Sequence, residues 1–266
     1  MFLKSKKSLL VLSLVAISMI SILSGCGKTA TKTEAKSEVL KVGLDDVTPP
    51  MEFKDDKGNT VGFDIDLANA IGKKLNRKVE IVPTAWDGIF LALKSNKFDC
   101  IISDVSITDE RVKEFSFSKP YINNSQAIVV PKNSTISSPK DLKGKKVGVI
   151  PNSTGEEAAN KFIKETPFEI KKYDQTIQFF SDLKIGRIDA LVTDIVTAQY
   201  YVNTDKEHYK IAAGKLTNEP LGICFKKDNT KLRDEVQKAF DELKADGTLK
   251  KISEKWFGED LVTNIN

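Results

Sequence analysis

Histidine occurs once in the 266 residues and cysteine three times, and that scarcity excludes much catalytic chemistry. His208 lies in the polar stretch DKEHYK and reads as an exposed loop or helix-end residue. No Ser-His-Asp set can be assembled around it. No Cys/His cluster has the spacing of a zinc site. No glycine-rich phosphate loop is present, since GKKVG lacks the Ser or Thr and the preceding glycine of a P-loop. Charge of one sign is also scarce. The formal net charge is +4, and Lys4, Lys6 and Lys7 sit in the first few residues, which leaves +1 for the remainder. A nearly neutral chain with scattered charges gives no reason to expect nucleic acid. After the N-terminus there is no apolar run of membrane length. The chain is expected to need no metal and no cofactor, and not to be an enzyme.

What is present begins with a leader. Three lysines precede an apolar run from Leu9 to Leu23, which ends in Leu23-Ser24-Gly25-Cys26. This is the layout of a signal peptide over residues 1–25, too short for a comfortable membrane span. Residues 27–38 are polar, with almost nothing to bury, and read as a flexible tether. About 230 residues then remain, enough for one large or two modest lobes. The other cysteines, Cys100 and Cys224, sit in apolar strand patterns (FDCII and LGICF). A disulfide and two isolated buried thiols are both open.

The folded part reads as alternating strands and helices. VLKVGL is a strand, residues 55–59 a turn between two short strands, and residues 64–75 a helix by apolar spacing at Ile65, Leu67, Ala68, Ile71 and Leu75. Strands follow over 79–83 and from 101, with helices over 86–93 and 108–114. The same grammar restarts after Pro131: strand KKVGVI, helix 154–163, strand 168–173, helix 175–184, strand 190–192, helix 194–202. PLGICFKK is a further strand, and helices over 231–245 and 249–257 close the chain. No strict sequence repeat is evident, but two similar α/β halves are. Such sheets bind ligands beyond the carboxyl ends of their strands, and two facing halves would form a cleft.

GFDIDLANAIGKKL, WDGIFLALKSNKFDCIISDVSITDER, FSKPYI, DLKGKKVGV and GRIDALVTD occur in this order. Together they resemble the bacterial extracellular solute-binding proteins of family 3, the substrate-binding proteins of polar amino-acid ABC importers, over most of the chain from about Leu40 to Gly258. The leader resembles a bacterial lipobox. The resemblance implies a two-lobe α/β fold of the type II periplasmic-binding-protein kind, with two sheets of mostly parallel strands joined by a two-strand hinge. Lobe 1 is expected over residues 39–128 and 221–266, and lobe 2 over 129–220. It implies cleavage before Cys26, acylation of that cysteine and anchoring to the outer face of the cell membrane. It also implies a monomer that captures an amino acid and delivers it to permease and ATPase subunits.

The family's residues carry over by motif. Arg111 in SITDER matches the arginine that grips the ligand α-carboxylate, which suits a guanidinium's paired donors. An exposed arginine paired with Asp109 or Glu110 is the plain alternative. Ser106 and Thr154, with Ser153, match positions that reach the same carboxylate. The latter two precede a helix, where free amides favour an anion, and ordinary capping would also account for Thr154. Asp194 in LVTDIVTA matches the acid that pairs the α-ammonium, with a helix N-cap as alternative. Trp86 matches a wall of the side-chain pocket, or is a core tryptophan.

Three departures bear on the ligand. Thr48 stands where the family often has an aromatic, and Asp104 where many relatives have Gly or Ser. Asp45 matches an acid found in many members, and Asp46 follows it. Three carboxylates near the side-chain pocket would attract lysine, arginine or ornithine. Cystine or a polar neutral amino acid is the alternative. So are a cyclohexadienyl dehydratase with Asp194, Asp104 or Asp45 as general acid, and a sensory ligand-binding component.

Overall fold

The structure is a computed structural model that describes residues 39–263 and 265. The leader, Cys26 and the tether expected from the sequence lie outside the described residues. Among the described residues, no helix is long and apolar enough to cross a membrane.

The chain opens with β1 (Val39–Leu44), then a small antiparallel sheet of β2 (Val47–Thr48), β3 (Glu52–Lys54) and β4 (Thr60–Val61). Next come α1 (Phe63–Lys74), β5 (Lys78–Pro83), α2 (Trp86–Lys94), β6 (Cys100–Ile101), α3 (Asp109–Glu114) and β7 (Phe115–Phe117). The second half holds β8 (Gln126–Pro131), β9 (Lys146–Val149), α4 (Thr154–Glu165), β10 (Glu169–Lys172), α5 (Thr176–Lys184), β11 (Ala190–Asp194), α6 (Ile195–Thr204) and β12 (Tyr209–Ala213). β13 (Cys224–Lys226), α7 (Thr230–Ala245) and α8 (Thr248–Phe257) complete it.

Two five-stranded sheets result, in the orders β5-β1-β6-β13-β7 and β10-β9-β11-β8-β12. In each, three strands pair in parallel. In each, one strand runs against its neighbours: β13 in the first and β8 in the second. Those two strands are the ones that reach their sheet from the other half of the chain. The segments that carry them run side by side, with Leu221 N–H donating to Ile122 O at 2.9 Å and Glu219 N–H to Asn124 O at 3.0 Å. The strand expected over PLGICFKK therefore forms only at Cys224–Lys226. Residues 220–223 are spent in the crossing. β7 and β12 were not evident from apolar pattern, because their pairing partners lie far away in sequence.

Helices cover both faces of each sheet. Leu67 and Ile71 of α1 and Phe240 of α7 pack on one face of the first sheet; Ile89 and Leu93 of α2 pack on the other. β8 is buried on both sides: Ile128 and Val130 face α4, while Ala127 and Val129 face α5 and α6. A short strand buried on both faces reads as a continuous apolar run, which QAIVVP is. Gly43 and Gly148 hold equivalent places in β1 and β9. A Cβ on Gly43 would sit 2.4 Å from the Phe98 ring, and one on Gly148 would sit 2.8 Å from Ile188 Cδ1. Each glycine thus lets a side chain close over the first strand. Removing the Phe98 ring would cost about 3–5 kcal/mol.

Cys100 and Cys224 are free and buried. Their strands are neighbours, but Cys100 packs on the α1 face and Cys224 on the α2 face. Opposite faces of one sheet keep the sulfurs from bonding, and burial pushes both thiols well above their ordinary range.

Candidate functional site

The residues just beyond the carboxyl ends of β1, β6, β9 and β11 converge on one cleft between the sheets, where open α/β sheets place ligands. It encloses a cavity of about 60 Å³, room for several waters and so for a small solute. Arg111 is the one basic residue lining it, whereas Asp45, Glu52, Asp104, Asp174 and Asp194 are acidic.

Arg111 is placed by its own motif. Thr108 caps α3, its hydroxyl accepting the Arg111 N–H at 3.2 Å, and this sets the first turn. The guanidinium then donates to Ser106 O at 3.0 Å. It lies over the Phe90 and Trp86 rings, 5.0 and 5.4 Å from their centroids. These contacts hold the group by stacking and one bond. Among the described residues, no carboxylate comes within ion-pair distance of it. The surface pairing with Asp109 or Glu110 does not form.

Across the cleft, Ser153 rather than Thr154 caps α4. Its hydroxyl accepts from Glu156 N–H at 3.2 Å and donates to Ile150 O at 2.7 Å. Ser153 therefore has only its backbone to offer a ligand. Thr154 is buried and turned inward, 3.4 Å from Ser106 Oγ of the opposite sheet. Asp194 stands at the N-cap position of α6 yet makes no capping bond. Its Oδ1 instead accepts from Asn124 Nδ2 and, at 3.1 Å, from Gln126 Nε2. Its Oδ2 takes no hydrogen bond among the described residues. Burial raises the carboxyl to about 6, against the opposing pull of Asn124.

Asp45 and Asp104 both line the cavity, but Asp46 does not. Asp46 pairs with Lys54 Nζ at 2.7 Å and accepts from Thr60 Oγ1 at 3.1 Å. The two neighbours lie in the short turn between β1 and β2, where Lys54 and Thr60 draw Asp46 away from the cavity that Asp45 lines. Burial, with Asp46 beside it, raises Asp45 to about 6. Asp104 adopts a left-handed backbone, φ 49°. Its side chain is buried with no hydrogen-bond partner for Oδ1. Burial and the nearby Asp194 push its carboxyl well above the usual range. Trp86 is half-buried, and its indole N–H reaches Asn152 O at 3.2 Å on the far side of the cleft. It is a bridge between the halves as well as a wall.

A family model described as bacterial extracellular solute-binding proteins, family 3, matches residues 40–259. The chain belongs to this family. The L-cystine-binding protein of Escherichia coli (strain K12) is 36% identical over 224 residues, 84% of each chain. An ancestral arginine-binding protein solved with arginine is 48% identical, covers 83% of this chain and 98% of its own, and superposes with a TM-score of 0.79. A substrate-binding protein from Streptococcus pneumoniae with bound histidine is 33% identical, with 85% and 95% coverage and a TM-score of 0.81.

In this member of the family, the crossing segments add groups to the cleft that sequence reasoning missed. Gln126 is fully buried, and its Nε2 lies 3.1 Å from Thr154 Oγ1, 3.1 Å from Asp194 Oδ1 and 3.0 Å from Glu219 Oε2. Glu219 also accepts from Ser106 Oγ at 3.4 Å. Gln126 and Glu219 thus tie the strand crossing to residues on both walls. The only signal in the sequence was a polar residue opening an otherwise apolar strand. The arrangement as a whole can bind a small zwitterion, with one cationic gripper and several acids aimed at one space. It holds no nucleophile–base pair.

Proposed function

We propose that the protein captures an amino acid with a cationic side chain outside the cytoplasm and hands it to the permease of an ABC importer. The α-carboxylate lies on Arg111, assisted by Ser106, Thr154 and the amides opening α4. The α-ammonium lies on Asp194, and the side-chain cation points to Asp104 and Asp45. Lysine, arginine and ornithine fit this charge pattern. The chain acts as a monomer held to the membrane through lipid on Cys26, and its two halves close on the ligand about the crossing segments.

The observation that carries this reading is the imbalance of charge in the cleft: one guanidinium without an ion-pair partner against Asp104, which is buried, and Asp45 and Asp194, which are half-buried. A buried acid without a partner is costly, and a ligand that supplies the missing cation recovers that cost. Cystine brings a second ammonium but also a second carboxylate, which would need a second basic group, while a neutral amino acid leaves Asp104 and Asp45 unpaired. Thermal unfolding against the common amino acids tests the proposal. A ligand at a hundred times its dissociation constant stabilises by about 2.7 kcal/mol. A shift with the three basic amino acids supports the reading. A shift with cystine or glutamine alone refutes the cationic assignment.

A further inference from the structure

Beside Asp45 and Asp104 lies a pair of buried carboxyls, of which Glu52 borders the cavity and Asp64 lies behind it. Glu52 on β3 and Asp64 on α1 are 1% and 0% exposed. Every other bond they make is accounted for. Glu52 Oε1 accepts from Ser103 Oγ at 2.8 Å, and that same oxygen of Ser103 accepts the Asp45 N–H at 3.0 Å. Asp64 Oδ2 accepts the Asp104 N–H at 2.8 Å and the Tyr121 hydroxyl at 3.2 Å. Glu52 Oε2 and Asp64 Oδ1 remain, both buried and reached by no amide, hydroxyl or ammonium among the described residues. Glu52 is held on Ser103 and Asp64 on the next residue, Asp104, so the two carboxyls lie beside one another, each with one oxygen that lacks a donor, and each shifts the other's titration as a hydrogen-bond partner does.

Two acceptors facing one another at no cost require a proton between them. We infer that Glu52 is a protonated carboxylic acid at neutral pH, donating from Oε2 to Asp64 Oδ1, and that this proton positions the acids of the ligand pocket. Neutral Glu52 leaves Asp64 as an anion with three donors, the environment that best stabilises a buried carboxylate. Asp64 then clamps the Asp104 amide and holds the left-handed turn that aims Asp104 into the cleft. Ser103 passes the orientation from Glu52 to Asp45. Glu52 and Asp64 are positioning residues that act through Asp104 and Asp45.

The surroundings agree. The groups facing the pair are Ser103 and Asp104 beyond β6, Tyr121 before the crossing and Asp45 beyond β1. None is a cation, and Arg111 acts on Asp104 from farther away. Burial, Asp64 and Asp104 all push Glu52 well above its ordinary range, and its bond to Asp64 does the same. Tyr121 is pushed up as well, so it stays a neutral donor.

The test compares wild type with Glu52→Gln and Glu52→Leu. The glutamine amide can donate to Asp64 and accept from Ser103, as the protonated acid does; leucine can do neither. The infrared difference spectrum of wild type minus Glu52→Gln at pH 7 should contain the carbonyl stretch of a protonated carboxylic acid. Its absence overturns the inference, whatever the ligand. The binding arm rests on the reading of the preceding subsection and uses arginine as probe. Glu52→Gln should keep the dissociation constant within about threefold, while Glu52→Leu weakens it at least tenfold. Equal losses in both overturn the positioning role. If wild type itself fails to bind arginine, the ligand reading fails and the infrared arm still decides the proton. Should Glu52→Leu not fold, chemical unfolding of the other two against pH decides. A raised acid contributes stability that is lost as pH rises from its unfolded value, by up to about tenfold in the unfolding constant per pH unit. Wild type should show that decline and Glu52→Gln a flatter line; identical slopes contradict the inference.

Discussion

Asp104 and Asp194 are counterparts. Each closes the same pattern, LKSNKFDCIISD on one lobe and LKIGRIDALVTD on the other, and each follows or ends the third parallel strand of its sheet. The anchoring is the same too: Asp99 accepts the Lys41 N–H and Asp189 the Lys146 N–H, both at 2.8 Å. The two lobes thus deliver one carboxyl each, from the ends of equivalent strands, into a single cavity. In the proposed binding mode Asp194 meets the ligand α-ammonium and Asp104 is available to a second cation.

Asp104 should therefore set selectivity. Asp104→Gly removes the unpartnered acid and suits the positive φ without strain. The empty protein should melt at the same or a higher temperature. Its affinity for arginine or lysine should fall at least tenfold relative to glutamine, read by calorimetry on both ligands.

Arg111→Ala should weaken amino-acid binding by two decades or more. It leaves the ligand carboxylate buried and unpaired, a loss of about 3–5 kcal/mol. Arg111→Lys keeps the charge but not the two parallel donors or the stacking on Phe90 and Trp86, so it should recover only part. A dissociation constant within threefold of wild type for Arg111→Ala would remove Arg111 from the site.

Asp194→Asn separates binding from folding. Asp194 makes no capping bond, so the substitution should not lower the melting temperature of the empty protein. Binding should weaken at least a hundredfold. A matching fall in both would mean that the residue is structural.

Binding of a cation should be linked to proton release. Asp194 and Asp45 are held at about 6 in the empty cleft, and a bound cation draws them back down. Affinity should therefore fall below pH 6, by up to about tenfold per pH unit for each proton released. The empty protein should respond in the opposite sense. Raised acids contribute stability that is present below the unfolded value near 3.8 and lost as pH rises through about 6, so acidification from 7 to 5 should favour the empty fold through these groups. Calorimetry in buffers of different ionisation enthalpy reads the proton count directly.

Much of this was legible in the sequence because it is local. The helices followed from apolar spacing, and Arg111 and Asp194 were singled out by motifs that resemble the family's; both line the cavity. The two halves were recognised as similar, but the correspondence of Asp104 with Asp194 rests on few identities and shows once their strands are seen to hold equivalent places in the two sheets. Asp46 was misplaced because its direction in the turn after β1 is set by Lys54 and Thr60, whose approach the local sequence does not show. Thr154 faces the cavity as expected, and it is Ser153 that caps α4, a distinction of one residue that sequence does not fix. Gln126, Glu219, Glu52 and Asp64 were missed for another reason. Their partners lie far off in the chain, and nothing in a polar residue's neighbours shows what it will meet.

The most direct test is calorimetric titration with arginine and with citrulline, which replaces the guanidinium by a neutral urea group of nearly the same shape. Both present the same α-carboxylate to Arg111 and the same α-ammonium to Asp194. The account predicts that arginine binds at least a hundredfold more tightly, because only arginine supplies the cation that Asp104 and Asp45 lack. Equal affinities would contradict it.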